Sequence, residues 1–221
     1  MINIDKTPVA VLISGRGSNM QSILDACESP EYPAKVAIVI SDNADAKGLE
    51  VAKYCGIKTL VIDKKNFADK AAFETELSNA LKKHDVEWVC LAGFMRILSS
   101  DFVDNWHNKI INIHPSLLPA FKGLDCHQKA IDAGVRFSGC TVHIVRPEMD
   151  VGPIIIQAVV PITKNDDAES LSARILHYEH VLYPESIRLL ITGEAMINGE
   201  KVDIHNGRWQ KTGHVNPAPL I

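Results

Sequence analysis

A polar pair interrupts the apolar stretch of residues 110–119, which reads IINIHPSLLP. In an extended strand, residues two apart project to the same face, so Asn112 and His114 point together while Ile111 and Ile113 point to the other side. Pro115 then ends the hydrogen-bonding ladder and exposes the residues that precede it. An amide beside an imidazole at a strand exit suggests catalysis, although the same pair also suits a strand end that is hydrogen-bonded to a turn.

A third polar residue, Asp150, lies farther along the chain in TVHIVRPEMDVGPIIIQ, on a loop constrained by Gly152 and Pro153. An aspartate near His114 would favour the imidazolium form of the ring and fix its orientation. A protonated histidine and a neutral amide aimed at one point form a pair of oxyanion donors. The alternative interpretation is an Asx-type turn at Asp150.

A glycine-containing turn, SGRGSN at residues 14–19, follows the first apolar run and precedes a helical pattern. Glycines let the backbone approach an anion, and a helix N-terminus presents free N–H groups. Ser18 or Asn19 is also a good helix cap. The motif favours a single-phosphate cradle built from Gly17, Ser18 and Asn19, with a tight turn that binds no ligand as the plain alternative.

A dinucleotide site is a competing interpretation of the same turn. It requires G-x-G-x-x-G, and the chain offers Gly15 and Gly17 but Met20 at the third position. Asp42, at the end of the second strand, resembles a ribose-binding acid, so a nicotinamide enzyme stays open as an alternative. A P-loop is excluded because the sequence contains no G-x-x-x-x-G-K-[ST] motif.

Further titratable residues give weaker indications. Glu179 lies beside the apolar stripe of a long helix, and a carboxylate buried there requires a partner or a ligand hydroxyl. Cys140 and His143 are three apart in a strand and face opposite sides of the sheet, so we expect no metal site. Cys126, next to His127, is expected to be a buried, inert thiol.

Apolar runs alternate with amphipathic segments along most of the chain, which predicts parallel strands covered by helices. The predicted strands are 8–13, 35–41, 58–62, 87–92, 109–114, 138–145 and 154–161. The predicted helices are 18–28, 46–54, 69–83, 126–133 and 168–191, the last kinked or interrupted by Pro184. The fold class is therefore α/β, an open, mostly parallel twisted sheet with helices on both faces, and its ligands are expected at the carboxyl ends of the strands.

The domain organisation is expected to be a single domain over residues 1–221, because no repeat, low-complexity tract or linker divides the chain. Its core would span about residues 8–192. The segment GEAMINGEKVDIHNGRWQ, with two Asn-Gly turns, predicts a small β hairpin appended to the sheet, within a C-terminal hairpin and tail at about 193–221.

Composition bounds the function classes. Hydrophobic residues make up 46% and charged residues 23% of the chain, and the net charge of −4 gives no reason to expect nucleic acid or an anionic membrane as a partner. No apolar run is long enough to span a bilayer, and the N-terminus lacks a basic leader, so a cytoplasmic protein is expected. The five cysteines form no CxxC pair, which fits reduced thiols.

Four motifs in order carry a family resemblance: SGRGSN, LAGFMRIL, INIHPSLLP and the stretch from Gly139 to Pro153. Together they resemble the folate-dependent formyltransferases, over about residues 8–192. The phosphate turn and Glu179-His180 make the chain most similar to members that act on glycinamide ribonucleotide. The resemblance implies a Rossmann-like formyltransferase fold and transfer of the formyl group of 10-formyltetrahydrofolate to the amine of that ribonucleotide, in purine biosynthesis.

The resemblance also implies residue roles. Asn112 and His114 would stabilise the tetrahedral oxyanion, with His114 also an acid, and Asp150 would assist proton movement. Gly17, Ser18 and Asn19 would hold the phosphate and Glu179 would face the sugar. The implied folate-binding residues are Lys70, Met95, Arg96, Ile97, Leu98, Asn112, Val145 and Asp150. No metal is implied, and the state would be a monomer or a homodimer.

The sequence departs from the family pattern at three positions. Lys70 stands where relatives carry an arginine, so a bidentate grip on the folate tail becomes a point-charge contact. Pro147 and Val151 replace an acid and a small residue, which leaves the shape of the pterin loop open.

Four other functions compete with this assignment. A methionyl-tRNA formyltransferase would continue into a basic C-terminal domain, and a formyltetrahydrofolate hydrolase would carry an additional domain and lack SGRGSN. Outside the family, the nicotinamide oxidoreductase and a non-catalytic nucleotide-phosphate binding protein remain, but binding alone does not require Asn112, His114 and Asp150.

Overall fold

A computed structural model describes residues 5–205, and its centre is a seven-stranded sheet. The strands are Thr7–Ile13 (β1), Ala34–Ser41 (β2), Thr59–Val61 (β3), Trp88–Leu91 (β4), Ile110–His114 (β5), Phe137–Ile144 (β6) and Ile154–Pro161 (β7). Their spatial order is β3-β2-β1-β4-β5-β6-β7. The first five strands are mutually parallel, whereas β6 runs antiparallel to both of its neighbours. The predicted α/β fold with a mostly parallel sheet is confirmed.

Helices alternate with most of the strands along the chain. They are Ser18–Glu28 (α1), Lys47–Tyr54 (α2), Lys70–Lys83 (α3), Ser100–Asn105 (α4), Cys126–Asp132 (α5) and Ala168–Ile191 (α6), with a short 3₁₀ helix at Lys64–Asn66. The sequence prediction missed α4 because six residues are too few to show a helical period, although the Ser99 hydroxyl caps it by accepting from Phe102 N–H. The predicted interruption at Pro184 is wrong, since α6 is one continuous helix of 24 residues that includes Pro184.

The core lies on both faces of the sheet. Along β1, Val9, Val11 and Ile13 belong to one buried cluster while Ala10 and Leu12 belong to the other. Helices α1, α2 and α6 cover the first face, and α3 and α4 cover the second. This double burial explains why the parallel strands read as continuous apolar runs.

The predicted C-terminal hairpin is present as Ala195–Asn198 (β8) and Lys201–Ile204 (β9), joined at the turn Gly199-Glu200. It forms a two-stranded sheet of its own and adds no strand to the seven-stranded sheet. Ala195 lies in the buried core, and the second Asn-Gly pair, at 206–207, is outside the described residues. Within residues 5–205, no helix has the length and apolar character that crossing a membrane requires.

The strand order places a topological switch point between β1 and β4. The chain leaves β1 toward β2 on one side and later returns to β4 on the other side. Loops on opposite sides of such a point diverge and leave a crevice at the carboxyl ends of the strands, where ligands bind in open α/β sheets. The loops that follow β1 and β4 carry SGRGSN and GFMRIL.

Candidate active site

The exit of β5 positions Asn112 and His114 on one face. Ile111 and Ile113 project to the opposite side, where both join the core beneath α1 and α6. His114 is buried, and Asn112 is partly buried. The alternation inferred from the sequence therefore holds at this strand exit.

The ring of His114 lies between two acceptors. Its Nε2 donates to the backbone carbonyl of Phe121 at 3.0 Å, because a carbonyl can only accept. Its Nδ1 is 3.5 Å from Oδ2 of Asp150. Each ring nitrogen of His114 therefore faces an oxygen that can accept a hydrogen bond.

Asp150 reaches His114 from a constrained loop between β6 and β7. The residue has a positive φ of 52°, and its Oδ2 accepts from Gly123 N–H at 2.7 Å. Gly152 follows with φ of 130°, and a Cβ there would be 2.0 Å from the carbonyl oxygen of Ile144. The structure thus brings the predicted acid to the predicted histidine, and the loop requires glycine at position 152.

A second histidine, His143, orients Asn112. The Nδ1 of His143 donates to the carbonyl of Ile144 at 3.0 Å, so its Nε2 is the acceptor for the Asn112 amide at 3.2 Å. Burial lowers the pKa of His143, which keeps the ring neutral and able to accept. One N–H of Asn112 is thereby engaged, and the other stays available. This role of His143 was not predicted, because its spacing from Cys140 raised only the question of a metal site.

The turn after β1 forms a cleft with a free helix N-terminus. Gly17 adopts a left-handed conformation with φ of 76°, and α1 begins at Ser18 without a side-chain cap. The expected capping by Ser18 or Asn19 is therefore wrong, and the first N–H groups of α1 lack intrahelical partners. The cleft has a volume of about 250 Å³. It is lined by Ser14, Gly15, Arg16, Gly17, Ser18, Asn19, Ala92, Gly93 and Met95.

Asn19 joins this cleft to Glu179 on α6. Its Nδ2 donates to Oε2 of Glu179 at 2.6 Å, while its Oδ1 is buried and has no hydrogen-bond partner among the described residues. Burial raises the pKa of Glu179, and the bond from Asn19 opposes that rise. An unpaired buried oxygen next to a buried carboxyl fits a site whose polar partner is a ligand.

Helix α5 carries two titratable residues whose pKa values are shifted by burial. Burial raises the pKa of Cys126, at the start of α5, and the Glu179 carboxylate raises it further. Burial lowers the pKa of the adjacent His127, as does the charge of His114. Helix α5 also packs against α6, the helix that carries Glu179.

The predicted folate-binding residues differ in their surroundings. Met95 and Ile97 are 63% and 66% exposed, whereas Leu98 is buried. Exposed apolar side chains on a loop at this edge of the sheet suit the wall of a ligand pocket. The backbone N–H of Met95 donates to the Ser14 hydroxyl at 2.8 Å, which ties this loop to the phosphate turn.

Arg96 is engaged by Asp42. Its Nε donates to Oδ2 of the buried Asp42 carboxylate. The Asp42 carboxylate thus binds the GFMRIL loop, whereas in a dinucleotide enzyme it would bind a ribose hydroxyl. Met20, at the third fingerprint position, is fully buried beneath Gly17. Both observations weaken the nicotinamide alternative.

The two remaining predicted folate residues are Val145 and Lys70. Val145 follows β6, and its N–H donates to the carbonyl of Ile110 at 2.9 Å. Lys70 begins α3, with its Nζ 3.9 Å from Oε1 of Glu74. It is not among the residues that line the described cleft. Within residues 5–205, no group of three or more His, Cys, Asp or Glu side chains is placed to hold a metal ion.

Comparison with known proteins gives consistent matches. A family described as "Formyl transferase" matches residues 7–187. The chain is 43% identical to the phosphoribosylglycinamide formyltransferase of Escherichia coli over 93% of its own length and 97% of that protein. It is 47% identical to the trifunctional purine biosynthetic protein adenosine-3 of Bos taurus over 85% of its own length, and it spans only about a fifth (19%) of that relative.

A solved structure agrees with the sequence relatives. The chain superposes on glycinamide ribonucleotide transformylase 1 from Symbiobacterium toebii with a TM-score of 0.89 and 46% identity. The match covers 91% of this chain and 95% of that one.

Proposed function

The chain belongs to the formyl transferase family, and we propose that it acts as a phosphoribosylglycinamide formyltransferase. In this reaction the formyl group of 10-formyltetrahydrofolate passes to the amine of glycinamide ribonucleotide, which yields formylglycinamide ribonucleotide and tetrahydrofolate in purine biosynthesis. The observation that carries the proposal is the contact of His114 with Asp150, at 3.5 Å, where His114 is buried and lies on the same strand face as Asn112.

Asn112 and His114 would stabilise the charge that develops on the formyl oxygen. The amine nitrogen attacks the formyl carbon, and the carbonyl electrons move to oxygen to give a tetrahedral oxyanion. Asn112 has one N–H left for that oxygen because the other is bound to His143. Since Nε2 of His114 is bound to the Phe121 carbonyl, Nδ1, which lies 3.5 Å from Oδ2 of Asp150, would be the nitrogen that acts on the formyl oxygen.

Asp150 would support the accompanying proton movement. Collapse of the tetrahedral species re-forms the carbonyl and breaks the bond to the folate nitrogen. One proton leaves the attacking amine and one reaches the departing folate nitrogen, so the protons balance. Asp150 would hold the ring of His114 in position while His114 acts as the acid.

The ribonucleotide would bind across the β1 turn and α6. Its phosphate fits the cleft of Gly17, Ser18 and Asn19, where the open N-terminus of α1 favours an anion. Glu179 would accept a hydrogen bond from a sugar hydroxyl, since the Asn19 amide occupies only one of its oxygens. The unpaired Oδ1 of Asn19 is a further acceptor on the same side.

The folate would bind between the GFMRIL loop and the loop that carries Asp150. Met95, Ile97 and Leu98 supply apolar contacts, and Arg96 contributes its backbone because its side chain is paired with Asp42. Val145 and Asp150 line the opposite side, and Lys70 offers a single charge to the folate tail.

We further propose that the enzyme needs no metal and that it works in the cytoplasm. Its five free cysteines fit a reducing compartment. It binds neither nucleic acid nor membrane, and its state is a monomer or a homodimer.

A substrate-omission assay tests the function. The protein is incubated with 10-formyltetrahydrofolate and glycinamide ribonucleotide, and conversion of the folate is followed by absorbance. We expect turnover only when both substrates are present. Folate conversion without the ribonucleotide would indicate a hydrolase, and no conversion together with binding of NADH in a parallel titration would favour an oxidoreductase.

A further inference from the structure

An ion pair joins the loop that carries Asp150 to the turn of the C-terminal hairpin. Nε of Arg146 donates to both carboxylate oxygens of Glu200, at 3.0 and 3.2 Å, and Nη2 donates to the Gly199 carbonyl at 3.4 Å. The Arg146 side chain is 10% exposed, whereas that of Glu200 is 68% exposed. We refer to these contacts of Arg146 with Gly199 and Glu200 as the clasp.

Arg146 also packs against the loop that contains Asp150. A Cβ at Gly152 would be 3.1 Å from Cγ of Arg146, so the arginine stem lies directly on the return segment of the loop. The base of the loop is fixed by the bond from Ile144 N–H to the Pro153 carbonyl at 2.9 Å. Above that base, Met149 is 53% exposed. Arg146 is therefore placed to hold Gly152 and, two residues earlier, Asp150.

The hairpin offers the clasp a fixed support. Ala195, at its start, is buried in the core. Nη2 of Arg188, on α6, donates to Oε2 of Glu194 at 3.1 Å, and His205 N–H donates to the Glu194 carbonyl at 2.7 Å. The turn at Gly199-Glu200 is thus anchored at its base to α6, the helix that carries Glu179.

We propose that the clasp positions the 145–153 loop for formyl transfer. By holding Arg146 against the hairpin, it keeps the Asp150 carboxylate on His114 and maintains the folate side of the site. This inference rests on the proposed function, which assigns that loop to the folate. Arg146 and Glu200 are positioning residues that act through Asp150.

Glu200→Gln tests the clasp, because it removes the charge and leaves the side chain nearly the same size. We expect kcat to fall and KM for 10-formyltetrahydrofolate to rise, each about threefold to tenfold, below the roughly 10²-fold cost of a 1 Å misplacement. We expect the KM for glycinamide ribonucleotide to stay unchanged, since its proposed site is at the β1 turn and α6 and not at the 145–153 loop. Asp203→Asn, an exposed acid on the same hairpin that bonds only Asn198 among the contacts observed, is the matched control and retains wild-type kinetics.

A purely structural role has a different signature. Partial unfolding would lower the active fraction, and hence kcat, while leaving both KM values unchanged, and that result would overturn the proposal. Glu200→Asp, which keeps the charge, should recover part of the lost kcat and part of the folate affinity.

Amide hydrogen exchange of residues 145–152 provides a readout that does not depend on activity. In the absence of substrates, we expect the amides of this loop to exchange faster in Glu200→Gln than in the wild type or in Asp203→Asn. Unchanged exchange would overturn the clasp, even if the wild type is an active formyltransferase. If the wild type does not transfer formyl groups, the proposed function is wrong, while the exchange data still decide whether the clasp holds the loop.

Discussion

At the residue scale, the site depends on how each donor is oriented. His114 has one ring nitrogen committed to a backbone carbonyl and the other beside a carboxylate, and Asn112 has one amide hydrogen committed to His143. In the proposed reaction, these bonds would orient the groups before substrate binds and so reduce the reorganisation needed in the transition state.

His143 provides the first prediction. His143→Phe keeps a ring of similar size but removes the acceptor for Asn112, so we expect kcat to fall by about 10-fold, less than the loss on removing an oxyanion donor itself. His143→Gln, whose carbonyl oxygen can accept in the same direction, should recover part of the rate. Steady-state kinetics measure both, and a Phe variant with wild-type kcat would contradict this role.

Glu179 provides a prediction on stability. Because burial raises its pKa above the unfolded value of 4.5, the folded state holds its proton more tightly, and stability falls as the pH rises through the folded pKa. Glu179→Gln should therefore raise the free energy of unfolding at pH 8 relative to the wild type, because the variant has no carboxylate to ionise in the core. The gain should disappear below the unfolded pKa.

Urea unfolding across this pH range measures the effect. Glu169→Gln, on an exposed position of the same helix, is the control and should change the unfolding free energy much less. A gain in Glu179→Gln that is equal at pH 4 and pH 8 would show that titration of this carboxyl is not the cause.

At the element scale, local pattern predicted most of the structure. The seven predicted strands and five predicted helices are all present, because burial on both faces leaves long apolar runs and strong helical periods. The pattern did not reveal that β6 is antiparallel, because the apolar run of a strand looks the same whichever way the strand runs in the sheet. It also did not reveal the six-residue α4 or the separation of the hairpin from the main sheet.

The loop after β6 provides an element-scale prediction. Gly152→Ala places a methyl group against the Ile144 carbonyl, which also accepts the bond from His143. We expect a loss of about 2–3 kcal/mol in stability, because the backbone has to move. We also expect a lower kcat, since both Asp150 and His143 are displaced. Thermal unfolding and steady-state kinetics measure the two effects.

Gly134→Ala is the matched control. Gly134 also has a positive φ, of 65°, but a Cβ there would meet nothing within 4 Å. It should cost about 1 kcal/mol from backbone strain alone and leave kcat unchanged. Equal kinetics in the two alanine variants would contradict the account of the loop.

At the scale of the whole molecule, the site is assembled from residues far apart in the chain. The sequence motifs predicted Asn112, His114 and Asp150, and the pair His114–Asp150 meets as expected. Local patterns could not predict the Arg96–Asp42 or Arg146–Glu200 pairs, each 54 residues apart in sequence, because only the folded topology brings them together. Asn19 and Glu179, 160 residues apart, were both predicted as binding residues, but their mutual hydrogen bond was not.

Ligand binding provides a prediction at this scale. A ligand at 100 times its Kd stabilises the folded state by about 2.7 kcal/mol, so glycinamide ribonucleotide should raise the thermal midpoint without any folate. Asn19→Ala should reduce the shift at the same ligand concentration, because it removes a lining residue and the partner of Glu179. Asn79→Ala, an exposed change on α3, should retain the full shift. An Asn19→Ala shift equal to that of the wild type would argue against this phosphate site.

In the proposed reaction, His114 acts on the formyl group during transfer. The most direct test is a single-turnover measurement of labelled formyl passing from 10-formyltetrahydrofolate to glycinamide ribonucleotide, in the wild type and in His114→Ala, with both substrates saturating. We expect transfer in the wild type and a rate lower by about 10²–10⁴-fold in the variant, with both substrates still bound. Transfer by His114→Ala at the wild-type rate would contradict this expectation.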